Sequence, residues 1–241
     1  MITKQMYGGE FIFDEAAHLY TFNGQPVPGV TTILKVLDKP ALIPWAIGVT
    51  RDYWLEAVKA GRTDFEKIHK ESWNASKKIT KDAADIGKNV HSYAEAFFKK
   101  QPLPELLTDS AKRGAEAFHK WLDAHSIKVL ASERLVFSKE HYYGGTCDFV
   151  AEIDGLLVVG DIKTSKGIYN EARFQTAAYQ HAMQEEKGMT FGGRWIARFD
   201  KVSGEFEAKF FNDFETDFGG FKAALTIHRT LQTIKQEQSA G

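Results

Sequence analysis

Two apolar, β-branched runs joined by Asp154-Gly155 constrain the middle of this chain, where residues 144–166 read GGTCDFVAEIDGLLVVGDIKTSK. An Asp-Gly pair between such runs marks a two-residue hairpin, because both central residues of a type I′ turn need φ > 0. A loop of those two residues sets Ile153 opposite Leu156 and, counting outward, Asp148 opposite Asp161. Directly opposed strand residues hold their Cβ atoms roughly 4.5–5.5 Å apart, and like charges there repel. Lys163 shares the face of Asp161, since side chains alternate along a strand. Two acids and a lysine converging on one spot suit a metal site better than a fold requirement. Should Gly160 form a bulge, the two acids meet by a bend instead of by direct pairing.

The chain has 241 residues, 43% of them apolar and 26% charged, which is the composition of a soluble globular protein with a sizeable core. A net charge of −1 does not announce a nucleic-acid binder, although a local basic groove is sufficient for one. Between residues 59 and 88, Lys59, Arg62, Lys67, Lys70, Lys77, Lys78, Lys81 and Lys88 outnumber Asp64, Glu66, Glu71, Asp82 and Asp85. That segment reads as a solvated helix face or as a backbone-binding one. The single cysteine, Cys147, rules out a disulfide framework, a Cys-type zinc site and a Cys-ligated iron–sulfur cluster within the chain. It alternates to the other strand face from Asp148 and reads as a small buried apolar residue. No run of 18 apolar residues occurs and the first residues lack an apolar signal core, so a cytoplasmic protein with no membrane partner is expected.

Along the chain, residues 11–29 read as a small β-hairpin with an Asn-Gly turn region. A helix begins at Val30, with Thr31 or Thr32 near its cap. Residues 40–60 read helical with Trp45 and Trp54 as core contacts, and residues 63–78 form a basic helix. A separate, stronger helix spans 80–100, capped by Thr80. Residues 108–125 give another, with Ala115, Phe118, Trp121 and Leu122 on one face. The pattern then changes to period two: a strand at 127–137, the Asp-Gly hairpin, a helix at 171–186, a second hairpin over 191–211 and a last helix at 213–236. These elements predict one α/β domain over residues 1–241, with a small β-hairpin and helical region at 1–126 and a sheet core with its C-terminal helix at 127–241.

The Gly-Gly-Thr-Cys-Asp segment, followed by Asp161-Ile162-Lys163, resembles the PD-(D/E)xK nuclease superfamily. The likeness is closer to its RecB-type branch, which adds an upstream His on a helix and a Gln-x-x-x-Tyr pair on the following helix. Here GKNVHSYAE supplies His91, and QTAAY supplies Gln175 and Tyr179. HLYTFNGQPVPGVTTIL and IPWA also resemble the N-terminal part of phage-encoded and mitochondrial genome-maintenance exonucleases of that branch. The resemblance spans roughly residues 18 to 180 and implies a restriction-endonuclease-like core, a central mixed β-sheet flanked by helices.

The resemblance implies a divalent-metal-dependent DNA exonuclease acting at single- or double-stranded ends in recombination, repair or degradation, in a bacterial or phage-infected cell. The metal is Mg²⁺ or Mn²⁺, since hard oxygen donors suit both. Asp148, Asp161, the Ile162 carbonyl and His91 become its ligands, and Lys163 the residue that orients the attacking water. Glu133, on the preceding strand, stands as a further catalytic acid or as an exposed strand residue. Gln175 and Tyr179 position DNA phosphates and support the site, or pack the helix on the sheet. Thr164, Ser165 and Lys166 contact the phosphate backbone or form an ordinary loop. Glu95, one helical turn beyond His91, orients it or is solvated.

His69, His119, His125, His141, His181 and His228 match no motif and read as surface or core residues. Tyr142 and Tyr143 pack a loop or stack on an unpaired base. The alternatives are a restriction-type or structure-specific endonuclease of the same superfamily and, in another class, a DNA-end-binding module without turnover. No nucleotide-motor motif accompanies the set. Processive degradation therefore calls for enclosure of the substrate, by a homo-oligomeric ring or an arch of the N-terminal helices, or for a recombination partner protein.

Overall fold

Three two-residue turns set the β-structure, each with both residues at positive φ: Tyr7-Gly8, Asn23-Gly24 and Asp154-Gly155. The computed structural model describes residues 1–240. The first two turns build a four-stranded antiparallel sheet in simple meander order: β1 (Ile2–Met6), β2 (Gly9–Asp14), β3 (Leu19–Phe22) and β4 (Gln25–Val27). The small hairpin expected at 11–29 is thus the inner part of a larger sheet. Ile2 to Met6 join it because Met6 pairs with Gly9 across the Tyr7-Gly8 turn.

After a short α1 (Val30–Ile33) and a 3₁₀ turn (Leu34–Val36), two long helices follow, α2 (Leu42–Lys59) and α3 (Phe65–Phe98). The cap of α1 is Gly29, not Thr31 or Thr32, and no side chain caps it. The two helices expected at 63–78 and 80–100 are one. Asp64 caps it by accepting from the Lys67 amide at 3.0 Å, and Thr80 lies inside it with its hydroxyl donated to the Ser76 carbonyl at 2.9 Å. No proline interrupts that stretch, so nothing stops the i→i+4 ladder at Thr80. Trp45 and Trp54 are only half-buried; α2 packs on α3 and leaves Ile43, Ile47 and Val58 exposed. Thr108 caps α4 (Asp109–Ala124), and Ala115, Phe118 and Trp121 are buried on its inner face.

The second sheet has the order β5 (Ile127–Ser138), β6 (Tyr143–Ile153), β7 (Leu156–Lys163), β8 (Gly193–Phe199) and β9 (Phe206–Phe211). It is mixed: β7 and β8 are parallel, joined through α5 (Asn170–Lys187), and the other pairs are antiparallel. Helix α5 and the closing α6 (Phe214–Ala240) cover one face with Val150, Val159, Ala178 and Phe221. Helices α3 and α4 cover the other with Phe149, Ala151, Val158, Ile162 and Trp121. The chain is therefore α/β, a five-stranded mixed sheet between helical layers, preceded by a largely helical N-terminal half that carries its own small sheet. No helix among the described residues is long and apolar enough to cross a membrane.

Gly144 and Gly145, adjacent on β6, each admit an aromatic ring. A Cβ on Gly144 would lie 2.5 Å from the Phe11 ring, and one on Gly145 would lie 2.5 Å from the Tyr179 ring. The first contact docks the N-terminal sheet on β6, helped by the Gly144 amide donating to the Pro28 carbonyl at 3.0 Å. The second brings α5 down onto the strand that carries Asp148. A single Gly-Gly step thereby fixes two of the walls of the site.

Candidate metal centre

The Asp-Gly turn pairs Ile153 with Leu156 as expected, and the register runs unbroken to Phe149 opposite Gly160. Ladder pairing stops one step before the two acids. The Asp148 carboxylate takes over by accepting the Ile162 amide at 2.7 Å, so the strands part and the acids meet across a splayed end. Gly160 itself is paired and does not bulge. A Cβ on it would lie 1.9 Å from the Phe149 ring, which therefore needs glycine opposite it.

Asp161 is fully buried and faces α5. Its Oδ2 is 2.6 Å from Lys163 Nζ, and its Oδ1 accepts from Gln175 Nε2 at 2.9 Å. Gln175 Oε1 accepts from Lys163 Nζ at 3.2 Å, and its Nε2 also reaches the Tyr179 hydroxyl at 3.1 Å. One amide thus holds the aspartate and the lysine in a fixed relation, while Tyr179 holds the amide. Gln175 and Tyr179 share a face of α5 because they are four residues apart. Both are largely buried, and their polar atoms support the acid–lysine pair from the floor of the cleft that they also line.

Helix α3 brings His91 to the other side. His91 Nδ1 is 3.6 Å from Asp148 Oδ2, and the Ile162 carbonyl faces the ring. Burial, then the Lys163 charge, pushes the His91 pKa down to about 4, so the imidazole is neutral and its lone pair is available. Glu133 lies on β5 between the pairs Ser132–Phe149 and Arg134–Cys147, opposite Asp148. A bulge at Leu130 shifts β5 by one residue and creates that register. Glu133 also sits at φ 51°, a left-handed conformation that costs of order 1–3 kcal/mol for a non-glycine residue and concentrates at functional sites.

Burial, together with the neighbouring acids, raises the carboxyl pKa of Glu133 to about 8. Burial also raises Asp161 to about 6 and lifts Asp148 above the usual range. Burial opposes the charge on Lys163, but Asp161 and Asp148 outweigh it and hold the ammonium above its ordinary pKa. The set is two buried carboxylates, a neutral imidazole, a nearby carbonyl and a third acid, and the three acids hold their protons more readily than usual. Such a donor set fits a hard or borderline divalent cation, which would offset the burial, and the lesser repulsion, that raise these pKa values.

The cleft that opens over these groups has a volume of about 630 Å³. His91, Glu133, Asp148, Thr164, Gln175 and Tyr179 line it. Ser165 and Lys166 do not. They are exposed on the following loop, where Ser165 Oγ donates to the Gly167 carbonyl at 2.8 Å. Glu95 lines the cleft, pairs with Lys99 at 2.5 Å and makes no hydrogen bond to His91. Tyr143 is fully buried with its hydroxyl donated to the Ala178 carbonyl at 2.9 Å, which removes it as a stacking platform.

The cleft also contains residues that had no separate reading in the sequence. Lys88 and Ser92 come from α3, Phe13, His18 and Tyr20 from the N-terminal sheet, and Thr146 from β6. The Tyr20 hydroxyl meets Thr146 Oγ1 at 3.1 Å, tying the small sheet to the strand of Asp148. The presence of His18 and Tyr20 inside HLYTF was the available signal. No family model matches this chain, and no curated protein matches it.

Proposed function

We propose that this chain is a divalent-metal-dependent DNA exonuclease with a restriction-endonuclease-like core of the PD-(D/E)xK type. The observation that carries the reading is the convergence of Asp148, Asp161, Lys163, His91 and Gln175 on one splayed strand end beneath an open cleft. Asp148 and Asp161 would hold Mg²⁺ or Mn²⁺, with His91 and the Ile162 carbonyl as further donors. The ion would supply a more acidic water and neutralise charge developing on the phosphate.

The chain's own residues do the rest. Lys163 stays charged between two carboxylates and donates to the attacking water or a phosphate oxygen, favouring the more negative transition state. Gln175 prevents the ammonium from collapsing onto Asp161 alone by offering it a second acceptor. Glu133 binds its proton to about pH 8 in the absence of a cation and can hydrogen-bond to a water in the cleft. Thr164 and Lys88 line the cleft, and on this reading they would meet the DNA backbone. Residues of α3 between 83 and 95 also line it, so α3 would border the bound strand.

The test is a set of time courses on 5′- and 3′-labelled single and double strands with Mg²⁺, Mn²⁺ or chelator. Stepwise shortening from an end, lost in chelator, is expected. Efficient nicking of covalently closed circles would favour an endonuclease. DNA binding without cleavage in either metal would favour an end-binding module, and undiminished cleavage in chelator would falsify the metal-dependent reading.

A further inference from the structure

Away from the cleft, the turn between β5 and β6 carries Glu140 and His141, and α5 carries His181. One ligand-capable atom from each lies within 4.8 Å of the other two. We propose that Glu140, His141 and His181 form a second metal site, for a borderline transition-metal ion of the zinc class, which pins the β5–β6 turn to α5. None of the three lines the carboxylate cleft, and the proposal does not depend on the nuclease reading.

The distances suit a tetrahedral ion. Glu140 Oε1 is 3.6 Å from His141 Nε2, and Glu140 Oε2 is 3.8 Å from His181 Nε2. Metal–ligand lengths of about 2.0–2.1 Å place tetrahedral ligand atoms about 3.4 Å apart; one ligand atom from each residue already lies within 4.8 Å of the others, so side-chain rotation has to close the remaining gap. Two imidazoles and one carboxylate are the donor types zinc takes, with the fourth position left to water.

The surroundings fix the ligands in place. The Tyr143 hydroxyl is 3.3 Å from His181 Nδ1, which leaves Nε2 facing Glu140. The His181 ring stacks on Phe218 of α6 with centroids 4.2 Å apart and planes 11° from parallel, which fixes its orientation. The turn is held independently of any ion. Glu185 Oε1 accepts the Lys139 and Glu140 amides at 2.9 and 3.0 Å, and Glu185 Oε2 accepts from Ser138 Oγ at 2.6 Å. Arg229 Nη2 donates to the His141 carbonyl at 2.6 Å. Backbone contacts thus preposition Glu140 and His141, so metal binding requires little further ordering.

The experiment uses the full chain stripped of metal. Zn²⁺ alone is titrated calorimetrically, and Co²⁺ is followed by its visible absorption. The titration is run in Asp161→Asn, which removes a candidate ligand of the cleft: it is expected to bind one zinc equivalent that adding His141→Ala abolishes. Tetrahedral cobalt bands should follow the same pattern, and Zn²⁺ should raise the Tm of Asp161→Asn but not of Asp161→Asn with His141→Ala. Tyr143→Phe keeps the packing and should weaken Zn²⁺ binding about 10–100-fold, the effect of losing the partner that orients a ligand. Should His141→Ala fail to fold, Glu140→Gln on the exposed turn reads the same loss. Equal zinc uptake by Asp161→Asn with and without Glu140→Gln, or none by Asp161→Asn, overturns the proposal.

Discussion

Asp161 and Asp217 are both buried aspartates beside cationic side chains, yet their surroundings differ in sign. Asp217, on α6, has an arginine on each oxygen: Arg173 Nη2 at 2.8 Å from Oδ1 and Arg194 Nη2 at 2.6 Å from Oδ2. Arg194 is itself fully buried and also donates to Gln180 Oε1 at 3.2 Å and to the Asp213 carbonyl at 3.0 Å. Asp161 has one lysine and one amide, and it faces Asp148 and Glu133 as well. The first cluster sets two cations on its buried acid and closes α5, β8 and α6 on one another. The second has more acids than cations and opens on a cleft. A buried acid that is fully paired is structural, whereas one left with excess negative charge is poised for an added cation.

Breaking the comparison on the functional side should give the largest effect. Asp161→Asn is nearly isosteric, and on the nuclease reading it should cut Mg²⁺-dependent cleavage by about 10³-fold or more, as should Lys163→Ala. Single-turnover rates at saturating metal, with circular dichroism as the folding control, check this. On the structural side, Asp217→Asn leaves two arginines unpaired, one of them fully buried. Stability should fall by about 3–5 kcal/mol with no specific effect on metal binding. Urea unfolding at neutral pH measures it.

The same contrast predicts that Asp161→Asn in chelator costs less stability than Asp217→Asn, or none. The folded Asp161 carboxyl has a pKa of about 6, above its ordinary value, so the folded state holds that proton more tightly than the unfolded one. Its charge therefore becomes an increasing burden on the metal-free fold as pH rises from about 4 through 6. The stability of Asp161→Asn relative to wild type should improve over that window. A variant that loses as much as Asp217→Asn at every pH would show that Asp161 is structural after all.

Asp200 gives the smallest effect and the opposite sign. It accepts from Arg198 Nη1 at 2.9 Å and from the Val202 and Ser203 amides at 2.7 and 3.1 Å, and these bonds hold its pKa down at about 2. A depressed carboxyl stabilises the fold above its unfolded pKa and loses that contribution as pH falls towards 2. Asp200→Asn should be slightly less stable than wild type at pH 7, by roughly 1 kcal/mol or less for so exposed a turn. The difference should shrink as pH falls below about 4 and close only through about pH 2, the folded pKa, in thermal melts.

Local chemistry made much of this protein legible in its sequence. The Asp-Gly turn gave the β6–β7 register as far as Gly160 and brought Asp148, Asp161 and Lys163 to one strand end. Thr108 marked the start of α4, and the apolar face of that helix was readable from its period. Turn chemistry and periodicity act within a few residues, so one sequence suffices to read them.

Tertiary structure decided the rest. Thr80 is a good cap residue, but Asp64 had already begun the helix and nothing interrupts it before Phe98. Glu133 faces Asp148 only because a bulge at Leu130 shifts β5 by one residue, and no residue near Leu130 announces it. Gln175 and Tyr179 turned inward to the acid–lysine pair because Gly145 lets α5 settle on β6. His141 and His181 were unremarkable apart, and only the packing of the β5–β6 turn against α5 sets them around Glu140. Contacts between residues far apart in the chain depend on how whole elements pack, and that information is spread over every residue of the interface instead of any one motif.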